Sequence, residues 1–138
     1  MTNQVGSIML KGNKYNPAIT TLESGLQYKI VRSGGSTGTG EEHPTLYSPC
    51  KINYIGKTLN SKIFDSSSSN FVYNEDIGKI LAPYQVIVCL QEAMQLMVVG
   101  DKWSLYCPSE LAYGDIGSNE KNIYPGDMLM YDLELLEI

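Results

Sequence analysis

One stretch of this chain has the spacing of an amphipathic helix, and it sits among segments that alternate. From Val86 onward, Ile87, Leu90, Met94 and Met97 recur at helical intervals, with Gln91, Glu92 and Gln95 on a more polar side. The other apolar segments have the period of strands. Leu26, Tyr28 and Ile30 alternate with Gln27, Lys29 and Val31, and Cys50, Ile52 and Tyr54 alternate with Lys51 and Asn53. A turn at Leu59 to Lys62 returns Ile63 and Phe64 as a partner strand, which small polar residues interrupt after Ser66 and Phe71 and Tyr73 could resume. Trp103, Leu105 and Cys107 form one further face, and Leu129, Tyr131, Leu133 and Leu135 the last. A chain with several half-buried strands and a single short helix has few ways to hide its apolar faces. It is expected to be an α+β domain whose sheet packs on that helix.

The length of 138 residues suits one domain that needs neither disulfide nor metal. Residues 1–24 are polar and interrupted by Gly12, Asn13, Asn16 and Pro17, so they are read as an irregular, partly ordered extension ahead of a domain at 25–138. A formal charge of −5 disfavours nucleic acid and anionic membrane as partners, since both reward clustered Lys and Arg. Cys50, Cys89 and Cys107 lack the paired spacing of a zinc site, and His43 is the only histidine, so no zinc site is expected. The free thiols, the absence of an apolar run long enough to span a bilayer, and an amino terminus without a leader pattern lead us to expect a cytoplasmic protein. The glycine-rich run at 34–40 lacks the Lys and Ser/Thr of a phosphate-binding loop and is read as a plain loop.

Conventional catalytic groups are also missing. His43 lies between Glu42 and Pro44 in the most loop-like part of the chain, a poor place to fix a base. No two acidic residues stand out as a pair, and the thiols read as small buried hydrophobes. The aromatic residues, taken alone, fit an ordinary core.

Their order along the chain says more. Tyr54-Ile55-Gly56 leads to Phe64-Asp65-Ser66-Ser67, then to Val86-Ile87 at the helix, then to Ala112-Tyr113-Gly114 ahead of Pro125-Gly126-Asp127. Over residues 25–138 this series resembles the FKBP-type peptidyl-prolyl cis/trans isomerases. The resemblance implies a twisted antiparallel half-barrel wrapped around one short helix, with a proline-binding cleft between helix and sheet. It assigns Tyr54, Phe64, Phe71, Leu90, Ile123 and Tyr131 to the floor and walls of that cleft. Val86 and Ile87 would offer a backbone group at the helix entrance. The polar roles would fall to Asp65 at the rim and to Tyr113, whose hydroxyl would meet a substrate carbonyl.

The same resemblance implies a monomeric, cofactor-free isomerase acting on proline-containing polypeptides, assisting protein folding and binding macrolides of the tacrolimus and rapamycin type. A weakly active binding or chaperone module for proline-containing segments is the alternative. Leu90 stands where many relatives have Trp, Cys89 where they have Gly, Tyr131 where Phe is common, and Asn122 where an apolar residue is usual.

Overall fold

A computed structural model describes residues 1–34, 42–67 and 78–138. Phe71 and the strand expected to resume there lie outside the described residues. Two α-helices are present among those described, α1 (Gln4–Asn13) and α2 (Val88–Leu96), with strands β1 (Ile19–Thr21), β2 (Gln27–Arg32), β3 (Cys50–Lys57), β4 (Ile63–Ser66), β5 (Lys79–Leu81), β6 (Lys102–Cys107) and β7 (Leu129–Glu137). All the strand pairings are antiparallel, in the order β1-β2-β6-β7-β3-β4, with β5 pairing the first residues of β3 on the edge that β4 takes further along. This is the α+β architecture expected from the alternation, an antiparallel sheet with one helix, α2, packed on its apolar face.

β7 is central because its whole inward face is apolar. Leu129, Tyr131, Leu133 and Leu135 are all buried, and β6 answers with Trp103, Leu105 and Cys107. Register then builds rows across the sheet. Tyr54, Leu133 and Trp103 form one row, and Gly56, Tyr131 and Leu105 form the next. Against these rows α2 lays Cys89, Leu90, Ala93 and Met94, every one buried. The helix begins two residues later than the apolar spacing suggests. A 3₁₀ turn at Pro83–Gln85 delivers the chain in extended form through Val86 and Ile87, and the Gln91 side chain donates to the Val86 carbonyl at 2.9 Å.

Residues 1–24 correct the irregular reading at two places. Asn3 caps α1 by accepting from the Gly6 amide at 2.9 Å, and Ile19–Thr21 pairs with β2. α1 is held to the domain chiefly by polar contacts. The Asn3 amide donates to the Gly126 carbonyl at 2.7 Å, and the buried Gln27 side chain donates to the Leu10 carbonyl at 2.7 Å while accepting from Asn13. Gly6 permits the approach, because a Cβ there would lie 3.0 Å from Met128.

β2 departs from the expected alternation for the same reason. Gln27 is buried beneath α1, whereas Ile30 and Val31 are 51% and 56% exposed near a register shift in the pairing with β6. Of the expected apolar face, Leu26 is buried and Tyr28 stacks on Trp103 with ring centroids 4.1 Å apart.

Candidate functional site

The open end of the sheet holds a box of aromatic rings, and Gly56 makes it possible. Gly56 faces Tyr131 in the β3–β7 register and Asp65 in the β3–β4 register, so the row has a gap where a side chain would stand. Phe64 and Tyr131 fill that gap. Their rings meet edge to face, centroids 5.7 Å apart at 83°. Phe64 makes a second edge contact with Tyr113 at 6.5 Å and 86°, and Tyr54 tilts against Tyr131 at 6.3 Å. Edge-to-face packing leaves ring faces available to a flat apolar guest, unlike closed stacking.

Leu90 and Ile123 are buried in the same cluster, with Val86 and Ile87 half-buried against it. Residues far apart in sequence are thus brought together: Tyr54, Phe64 and Tyr131 from the sheet, Val86, Ile87 and Leu90 from the entrance to α2, Tyr113 and Ile123 from the loop before β7. The part assigned to Phe71 falls outside the described residues.

The loop before β7 is fixed by backbone bonds that an Ala-Tyr-Gly turn permits. After the 3₁₀ turn at Ser109–Leu111, Gly114 donates to the Ser109 carbonyl at 2.8 Å and Gly117 to the Tyr113 carbonyl at 3.0 Å. Ser118 and Ile123 then exchange bonds of 2.8 Å in an isolated bridge. Asn122 sits inside this bridged turn with φ of 57°, a left-handed conformation that Asn tolerates better than an apolar branched residue does. The residue that departs from the usual pattern therefore suits its backbone.

Asp65 lies at the rim, its Oδ1 accepting from the Ser66 amide at 2.8 Å. The Lys121 Nζ stands 3.8 Å from its Oδ2, and both side chains are about one-third exposed. An exposed pair of this kind adds little stability, so its consequence is positional. The pair links the loop before β7 to β4 at the rim of the site. The sequence reading passed over Lys121, although it is the only cation between Pro108 and Met128.

Burial raises the hydroxyl pKa of Tyr54 to about 12, with the Asp65 charge adding to the effect. Tyr113 is raised by burial and then by Asp65, and Tyr131 is pushed further up, mainly by its deeper burial. Each of these hydroxyls therefore keeps its proton at neutral pH, and a tyrosine that keeps its proton can donate a hydrogen bond to a carbonyl. The three cysteines are buried and free. His43, the one histidine, places its Nδ1 3.0 Å from the Met97 carbonyl, behind the exit of α2 and away from these rings. Among the described residues no group of three or more His, Cys, Asp or Glu side chains is placed to hold a metal.

The family model described as FKBP-type peptidyl-prolyl cis-trans isomerase matches residues 40–136. The peptidyl-prolyl cis-trans isomerase Mip of Coxiella burnetii is 33% identical over 129 residues, covering 94% of this chain and 51% of the relative. The FKBP-type 22 kDa peptidyl-prolyl cis-trans isomerase of Escherichia coli is 33% identical over 129 residues, covering 94% and 57%. Among solved structures, a peptidyl-prolyl cis-trans isomerase from Pseudomonas syringae pv. tomato superposes with a TM-score of 0.80 at 27% identity, covering 96% of this chain and 90% of that one. The chain spans about half the length of the curated relatives it matches.

Proposed function

The chain belongs to the FKBP-type peptidyl-prolyl cis-trans isomerase family, and we propose that it accelerates rotation about X–Pro bonds in polypeptides, assisting their folding, by seating proline in the aromatic box. The observation that carries this reading is the edge-to-face set of Phe64, Tyr113 and Tyr131, with the Asp65 carboxylate beside it on β4. The barrier to be lowered, about 20 kcal/mol, comes from resonance in the amide C–N bond. Resonance places negative charge on oxygen and positive charge on nitrogen, and water stabilises that planar form. An apolar box that strips water away raises the planar ground state more than the twisted one. Each 1.36 kcal/mol gained this way is worth about tenfold in rate.

Tyr113 then fixes the substrate carbonyl through its hydroxyl, and Asp65 orients the rim without transferring a proton. Leu90 and Ile123 supply the apolar floor. The same box takes macrolides of the tacrolimus and rapamycin type, and the protein acts as a monomer in the cytoplasm. The three free thiols support the cytoplasmic placement.

The test is the isomerisation rate of a short Leu-Pro peptide with and without rapamycin. Clear acceleration that rapamycin abolishes is expected, together with a rise in melting temperature on saturation. Tyr113→Phe removes one hydrogen bond and is expected to lower kcat/KM roughly two- to tenfold. No acceleration by folded protein would reduce the chain to a binding module.

The rate is further expected to be flat from about pH 6 to about pH 9, since hydroxyls whose pKa is raised stay protonated over that range. Deprotonation lies above it, so activity should fall only in strong alkali. A decline already centred near pH 8 would show that a group other than these tyrosines controls the rate.

A further inference from the structure

A second cleft, of about 450 Å³, lies between the start of α1, the turn joining β3 to β4, and residues 122–128. Its volume is in the range of sites that hold a small organic molecule or a few residues of chain. Buried Met128 is part of its lining, and Tyr124, 74% exposed, stands at its edge.

Two segments border both this cleft and the aromatic box. Asn122 and Tyr124 line the cleft, while Ile123 between them is buried in the cluster that includes the box. Lys62 lines the cleft, and two and three residues on, Phe64 and Asp65 belong to the box and its rim. The Lys121–Asp65 pair joins these two segments. The cleft and the box are thus separated by no more than these two segments, the loop before β7 and the start of β4.

The polar groups of the cleft favour one kind of continuation. The Asp127 carboxylate is already engaged, accepting from the Asn3 side chain at 3.0 Å and from the Tyr124 amide at 2.9 Å. The Asn60 side-chain oxygen accepts from the Thr58 hydroxyl, which leaves its NH2 group as the part that can donate. Lys62 is exposed and has no ion pair among the described residues. What the cleft offers a guest is the Lys62 cation and the Asn60 NH2 group, while its one carboxylate, Asp127, keeps its charge but already accepts from two internal donors.

We infer that the cleft is a second subsite for the substrate polypeptide, taking an extended stretch that flanks the proline and carries an acidic side chain for Lys62. The inference rests on the aromatic box being the proline site.

The test uses fluorescence anisotropy with the whole chain and three labelled peptides: a short Leu-Pro peptide, the same peptide lengthened on both sides with Glu, and the same peptide lengthened with Lys. Each Kd is divided by that of the short peptide on the same protein, which removes any general change in the box. The Glu-lengthened peptide should bind about fivefold tighter than the Lys-lengthened one, near the top of the range for an exposed ion pair. That preference should shrink with added salt.

Lys62→Glu should erase or reverse the preference, and Tyr124→Ala should weaken both lengthened peptides relative to the short one. Equal affinities for the two lengthened peptides, or a preference that survives Lys62→Glu, would overturn the inference. The isomerisation rate of the short peptide, measured separately, decides the isomerase reading. Failure there is distinct from failure here, because anisotropy reads binding alone.

Discussion

Gly56→Val is expected to lower kcat/KM for X–Pro isomerisation by at least about a hundredfold, the penalty typical of displacing reacting geometry by an ångström. A Cβ at this position would lie 2.7 Å from the Phe64 ring tip and 2.8 Å from the Tyr131 ring edge. Both distances are shorter than non-bonded carbons accept, and valine adds two methyl groups beyond that atom. The rings must move, and their edge-to-face positions are what define the box.

Tyr131 has little alternative, since it is buried between β3 and β6 in the register that pairs it with Gly56 and Leu105. Overpacking of this kind costs about 1–3 kcal/mol, which a folded domain survives. The expected result is thus a folded protein, judged by circular dichroism, that no longer accelerates a Leu-Pro peptide and no longer gains thermal stability from rapamycin. A folded Gly56→Val variant with wild-type kcat/KM would show that proline does not sit over this gap.

Legibility in the sequence followed the chemistry of burial. β6 and β7 could be read because each hides one apolar face and the other carries polar residues, so period alone marks them. α2 could be read for the same reason, and only its start was displaced, by the 3₁₀ turn at Pro83–Gln85. α1 could not. Two of its apolar residues, Val5 and Ile8, face solvent, and its attachment runs through Asn3 and Gln27, which hydropathy counts as surface residues. β2 misleads from the opposite side, with apolar Ile30 and Val31 exposed and polar Gln27 buried.

The site divides in the same way. Tyr54, Phe64, Tyr113 and Tyr131 are singled out by the order of their motifs, which constrains topology even though composition alone would assign them to core. Lys121 and the second cleft depend on which distant segments come to lie side by side. The pairing of Lys121 with Asp65, and the meeting of α1 with the β3–β4 turn, are products of the fold, and no local pattern encodes them.

Asp101→Ala is expected to destabilise the domain by about 2–4 kcal/mol, although the residue lies outside the aromatic box and looks from the sequence like an ordinary turn aspartate. Its side chain is only 6% exposed and stands where the exit of α2, the end of β2 and the start of β6 converge. Oδ2 accepts from the Val98 amide at 3.0 Å and Oδ1 from the Gly34 amide at 2.6 Å, while its backbone carbonyl accepts from Leu135 of β7 at 3.0 Å. Alanine keeps the last of these bonds and removes both carboxylate acceptors from buried donors. Each buried donor that loses its acceptor costs about 1–3 kcal/mol, and partial entry of water places the sum below the upper limit.

Asp101→Asn separates acceptor loss from a volume effect. Asparagine fills the same space but retains one carbonyl oxygen, and it turns an NH2 group toward one of the two amides. It is therefore expected to cost about half as much as alanine or more. Urea unfolding gives the comparison, with a lowered midpoint at unchanged slope marking a change in stability and not in the denatured chain. The consequence reaches the box through α2, because the turn that Asp101 closes fixes where the helix ends and hence how Leu90 and Met94 press on β7. A change below about 0.5 kcal/mol for Asp101→Ala, the level of an ordinary surface substitution, would mean that water replaces the carboxylate without loss and that the turn does not depend on it.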